Sequence, residues 1–233
     1  MQANTLKERL DAIHDRIAAA ASTSGREVAD VHLIAVSKTF PEEAIVAASA
    51  LGQRAFGENK VQELVRKTNA LGRGTEANPL EWHHIGHLQR NKAKDIVGRV
   101  DLFHALDSHR LGQELQKRLA AADSYLDCLI QVNVSGEYSK FGIDPAALDA
   151  FVDTLSDYDR LRIRGLMTLA SPAEDPEQVR PEMAHLRRLS EGIADRCTGQ
   201  QPLLSMGMSG DFEVAISEGA THVRIGSAIF GSR

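Results

Sequence analysis

Short apolar runs alternate along this chain with longer stretches in which apolar residues recur every three or four positions. Runs rich in β-branched and aliphatic residues read as buried strands, and the wider spacing reads as helices with one face turned to a core. The strand pattern occurs over 32–37, 54–57, 81–85, 101–106, 127–134, 162–169, 202–208 and 221–225. Helix signals fill the gaps. Thr5 and Glu8 form a capping box ahead of Leu6, Leu10, Ile13 and Ile17, which predicts a helix before the first strand. Pro41 opens a stretch that closes at Gly52, and Ser108 stands where it can cap a helix carrying Leu111, Leu115 and Leu119 on one stripe. Asp144 followed by Pro145 supplies an N-cap and a first-turn proline for Leu148, Phe151, Val152 and Leu155. Met183, Leu186, Ile193 and Cys197 predict one further helix, and 211–218, closing at Gly219, a shorter one. The glycine-rich stretch 72–79 reads as a surface loop.

Strict alternation of strand and helix implies a parallel sheet, because parallel neighbours need crossover connections. Eight such units in a chain of this length imply a closed (β/α)8 TIM barrel with an extra N-terminal helix, one domain spanning 1–233. The rival is an open doubly wound sheet. Its glycine fingerprint after the first strand is missing, and Lys38, Thr39, Phe40 and Pro41 stand there instead.

Composition narrows the function. At 233 residues, 42% hydrophobic and a formal charge of −5, the chain can bury a sizeable core but offers no basic field to attract nucleic acid. The polar start and the absence of a long apolar stretch argue against a signal peptide or membrane span, so a cytoplasmic protein is expected, and a monomer is its expected state. Cys128 and Cys197 lack the spacing of a zinc site or redox pair and are expected to be reduced and buried.

A barrel demands that its chemistry gather at the C-terminal ends of the strands. Lys38 ends the first, Asn59 follows the second, His83 and His84 lie in the third, Asn133, Ser135 and Lys140 follow the fifth, and Met167 and Thr168 finish the sixth. A lysine so placed is a candidate Schiff-base residue, since a desolvated amine loses its proton and becomes nucleophilic. The bland alternative is a solvated strand-end lysine. After strands seven and eight come Ser205-Met206-Gly207-Met208-Ser209 and Arg224-Ile225-Gly226-Ser227. Glycines, hydroxyls and a helix start in these loops are the usual phosphate cradle of the fold. Amine and cradle together suggest a phosphorylated aldehyde, and pyridoxal 5'-phosphate fits both.

Motifs over nearly the whole chain support this: Ala35-Val36-Ser37-Lys38-Thr39, Phe56-Gly57-Glu58-Asn59, Trp82-His83, Gly165-Leu166-Met167, Ser205 to Ser209 and Val223 to Gly231. In these the sequence resembles the pyridoxal phosphate homeostasis proteins, a single-domain barrel family related to the N-terminal domain of alanine racemases. The resemblance implies that Lys38 carries the cofactor as a reversible aldimine, that Ser209, Gly226 and Ser227 hold its phosphate, and that Arg224 lies beside the pyridine nitrogen. Asn59, His83 and Met167 complete the expected cofactor-binding set. His84, His87 and Lys60 depart from the residues the family pattern suggests at those places.

A guanidinium beside the ring nitrogen keeps the pyridine unprotonated and weakens it as an electron sink. The racemases the chain resembles also use a second domain to supply a catalytic tyrosine, and none follows here. The expectation is therefore a carrier without catalytic residues, buffering pyridoxal phosphate or delivering it to dependent apoenzymes, rather than an amino-acid racemase. A metal hydrolase built on His83, His84 and His87 is disfavoured, because neighbouring strand residues face opposite sides and no carboxylate completes the set. A Schiff-base aldolase using Lys140 is set against a plain loop lysine, which is preferred.

Overall fold

Each apolar run becomes one stave of a cylinder. The strands are β1 (His32–Val36), β2 (Ala55–Glu58), β3 (Glu81–His84), β4 (Leu102–Leu106), β5 (Leu126–Gln131), β6 (Leu161–Met167), β7 (Leu203–Ser205) and β8 (His222–Ile225). All pair in parallel with their sequence neighbours, and β8 returns to β1, setting Leu33 beside Val223 and Ala35 beside Ile225. This computed structural model describes residues 5–137 and 141–231. Closure leaves no strand edge unpaired, which suits strands buried on both faces.

Helices α1 (Leu6–Thr23), α2 (Glu42–Ala50), α3 (Val61–Leu71), α4 (Ala93–Ile96), α5 (His109–Ala121), α6 (Leu148–Leu155), α7 (Arg180–Gly192), α8 (Phe212–Ser217) and α9 (Ser227–Phe230) surround the sheet. The capping box is present: Thr5 accepts from the Glu8 N–H at 3.2 Å, and Glu8 accepts from the Thr5 N–H at 2.7 Å. The stripe Leu10, Ile13 and Ile17 is buried, and α1 packs on α8 and α9. Between sheet and helices the core is aromatic and aliphatic, with Phe56, Trp82, Phe103, Leu64 and Leu115 all fully buried.

The barrel interior is different. His83 on β3 lies 6.1 Å from His222 on β8, and His104 on β4 hydrogen-bonds Ser205 on β7, contacts that cross the hollow between non-adjacent strands. Imidazoles and hydroxyls thus occupy space that branched aliphatic side chains usually fill in this fold.

Several boundaries differ from expectation. Strand five stops at Gln131, because the chain swings away at Val132 to bridge Ile143. The helix through Met183 and Leu186 ends at Gly192; Ile193 leaves helical backbone and a short turn over Ala194–Arg196 follows, so Cys197 is only half-buried while Cys128 is fully buried. Ser108 occupies its cap position, but its side chain makes no capping bond. Lys140 lies outside the described residues.

Candidate functional site

At the C-terminal end of β1 the chain turns sharply. The Phe40 N–H donates to Ser37 O at 3.0 Å, and Thr39 takes φ +69, a left-handed backbone rarely adopted by a β-branched residue. Lys38 is the residue before it, partly exposed and on the wall of a cavity of about 670 Å³ at the barrel mouth. Its Nζ has no hydrogen-bond or ion-pair partner among the described residues. Behind it, Lys67 Nζ donates to Ser37 O at 2.8 Å and to Glu58 Oε1 at 2.6 Å, and Ser37 Oγ donates to the same oxygen at 2.6 Å. Burial raises the Glu58 carboxyl above its ordinary range against the pull of Lys67 and Ser37.

The facing wall comes from the last two strands. Gly207 has φ +91, and a Cβ there would lie 2.6 Å from the Ala215 methyl, so only glycine lets this loop press on α8. Asp211 Oδ1 accepts from the Met208 N–H at 2.6 Å and fixes the turn, leaving Ser209 beside Ser227 with their hydroxyl oxygens 3.4 Å apart. Gly226 joins β8 to the single turn of α9. Across the mouth, Gly86 packs so tightly on Asn59 that a Cβ would meet its carbonyl at 2.3 Å, which holds Asn59 on the cavity wall.

Arg224 lines the cavity although it is almost fully buried. Its guanidinium donates to Ser205 Oγ at 2.6 Å and to Thr168 O at 2.7 Å. No carboxylate pairs with it among the described residues, and burial lowers its pKa to about 10, with Asp211 pulling the other way. Ser205 is bonded in turn to His104 Nδ1 at 2.9 Å, and His104 Nε2 faces His83 Nδ1 at 2.9 Å, so only one of those two facing nitrogens carries a hydrogen. Burial holds His83 down at about 3, and burial and neighbouring cationic groups hold His104 and His222 well below the usual imidazole range. These rings are neutral at physiological pH, so the buried positive charge at the cavity floor is that of Arg224 alone among them.

The cavity therefore brings together Lys38, Asn59, Ser209, Arg224, Gly226 and Ser227. Met167 and His83 do not reach its wall. Met167 is fully buried in the sheet, and His83 is set back behind Ser205 and His104. His84, also in the third strand, is completely buried, stacked on Phe103, with neither ring nitrogen bonded. His87 stands at the rim, its Nδ1 2.9 Å from Asp107 and its ring stacked on Phe141 at 4.0 Å. Sequence reasoning did not select the apolar rim of Phe141, Leu169 and Met208, nor Gln131; Met208 lies inside the cradle motif without being singled out, and nothing in the local pattern of the other three distinguishes them from ordinary loop and strand residues. No group of three or more His, Cys, Asp or Glu among the described residues could hold a metal ion.

The chain as a whole is similar to known proteins. Residues 9–233 match the family described as alanine racemase, N-terminal domain. A pyridoxal phosphate homeostasis protein of Aquifex aeolicus is 42% identical over 226 residues, covering 97% of each chain. One from Escherichia coli K12 is 41% identical over 235 residues, covering 99% of this chain and 97% of that one. PipY of Synechococcus elongatus, solved with PLP bound, superposes with a TM-score of 0.82 at 35% identity, covering 97% of this chain and all of that one.

Proposed function

This chain belongs to the pyridoxal phosphate homeostasis protein family, and we propose that it binds pyridoxal 5'-phosphate at the mouth of its barrel and acts as a reversible carrier of it. The observation that carries this reading is the donor set: one unpaired amine, one buried guanidinium and two facing hydroxyls around a single cavity, with Val36 and Ile85 supplying apolar wall. That set fits an aromatic aldehyde bearing a phosphate. When bound, pyridoxal 5'-phosphate supplies an electrophilic aldehyde to which a lysine amine can attach and from which it can be released.

The chain's own residues divide the work. Lys38 is the covalent anchor. Ser209 and Ser227 would donate hydroxyl hydrogens to the phosphate, with Gly226 allowing close backbone approach, and the half-buried Asn59 would border the ring. Arg224, fixed by Ser205 and Thr168, has donors and no acceptor, so beside the pyridine nitrogen of the bound cofactor it would keep that nitrogen unprotonated. That suppresses the electron withdrawal on which transamination and racemisation rely, which favours holding over turnover.

The protein works as a single barrel domain and as a cytoplasmic monomer, and its recipients are apoenzymes that require the same cofactor. No described helix is long and apolar enough to cross a membrane. Borohydride reduction of the loaded protein, followed by peptide mapping, places the pyridoxyl group on Lys38; a label chiefly on Lys60 or Lys140 would overturn the assignment. Loaded protein restores activity to a pyridoxal-dependent apoenzyme, whereas Lys38→Ala, loaded and desalted alike, does not. Sustained turnover of amino acids by the protein alone would replace the carrier reading with the racemase one.

A further inference from the structure

Thr39 holds a left-handed backbone with no glycine to make it easy, so something outside the turn must stabilise it. Glu63, on the first turn of α3, accepts the Thr39 N–H at 2.7 Å. On the other side of Lys38, Lys67 Nζ donates to Ser37 O at 2.8 Å, and Ser37 Oγ donates to Glu58 at 2.6 Å. Lys67 sits 3.6 Å from Glu63 and 2.6 Å from Glu58, so one ammonium ties the two carboxylates together. Its side chain is fully buried, a position where an apolar residue would fill the space at no electrostatic cost.

We propose that Glu63 and Lys67 are positioning residues for Lys38: from α3 they clamp the peptide groups on either side of it, directing its amine at an aldehyde held by Ser209 and Ser227. The proposal rests on the cofactor reading above. In the step it serves, neutral Lys38 Nζ forms a C=N bond to the aldehyde carbon, and the carbonyl oxygen leaves as water with the two amine hydrogens. The clamp touches neither cofactor nor phosphate cradle. Its loss should slow attachment and spare phosphate recognition.

Two ligands separate these effects: pyridoxal 5'-phosphate, whose attachment is followed by absorbance in stopped flow, and pyridoxine 5'-phosphate, which has the phosphate but no aldehyde and is followed by calorimetry. Glu63→Ala should slow attachment by about tenfold, the scale of one lost charge-assisted bond, while pyridoxine 5'-phosphate affinity stays within about twofold. Glu63→Gln, which keeps an oxygen for the Thr39 N–H, should restore most of the rate. Thr39→Pro attacks the same bond from its other end, removing the N–H and forbidding positive φ, and should lose attachment with its melting temperature monitored alongside. Normal attachment in Glu63→Ala or in Thr39→Pro overturns the proposal, and so does parallel loss of both ligands. A wild-type protein that binds neither ligand overturns the cofactor reading itself and this clamp with it.

Discussion

Replacing His84 by phenylalanine isolates the cost of a neutral imidazole in the core. His84 is fully buried against Phe103 with both nitrogens unbonded, and burial, aided by His87, lowers its pKa from 6.5 to about 4. The folded-state value lies below the unfolded one, so as pH falls through 6.5 the unfolded chain takes up a proton that the folded protein refuses until about 4. Stability contributed by the neutral ring is complete above the unfolded value and drains away below it. At about pH 5 the unfolded imidazole is almost fully protonated and the folded one is not, which amounts to a deficit of about 2 kcal/mol that is absent at about pH 8. Phenylalanine has no proton to take up. At the higher pH two effects compete in His84→Phe: relief of unsatisfied polar atoms, about 1 to 3 kcal/mol, against a similar strain from the larger ring. The difference between the two pH values contains neither, because packing does not titrate. Urea unfolding of both proteins at the two pH values should therefore show the variant's relative stability rising by about 2 kcal/mol on acidification. An equal gap at both, or a His84 resonance titrating near 6.5 in the folded protein, would refute the reasoning.

His83, His104 and His222 are depressed for the same reason, so wild-type stability should fall between about pH 6.5 and 4 with a slope set by several protons, each worth about 1.4 kcal/mol per pH unit. Denaturant titrations across that range check it, and a slope of one proton or fewer contradicts the neutral cluster. Ser209→Ala combined with Ser227→Ala removes two charge-assisted donors and should weaken pyridoxal 5'-phosphate binding by more than about tenfold while leaving unphosphorylated pyridoxal unchanged. Equal loss for both ligands would place the phosphate elsewhere.

The barrel was legible because each strand is an apolar run buried on both faces and each long helix carries a stripe, signals that live in neighbouring residues. What failed to show depends on distant ones. Helix α3 has no capping side chain at Lys60, so nothing announced its start, and no local pattern marks Lys67 as a lysine that the fold buries at the end of β1. His104 and His222 sit in runs that read as plain strand, and their meeting with His83 requires opposite staves of the closed cylinder. At Met167 the limit is of another kind: a strand end buried on both faces does not reveal in sequence which way its side chain faces.

The seam of the barrel has a consequence for how the molecule is made. Helix α1 lays its stripe on α8 and α9, Arg9 Nε donates to Ile229 O at 2.5 Å across 220 residues, and β1 finds its second neighbour only in β8. A growing chain emerging from the ribosome thus exposes its first helix and one flank of its first strand throughout nearly all of synthesis. Truncated products ending before β8 would carry two raw strand flanks and a bare leucine and isoleucine stripe, the features that chaperones and proteases recognise. Completion of this protein is a single closing event, and everything made before it is waiting for a partner.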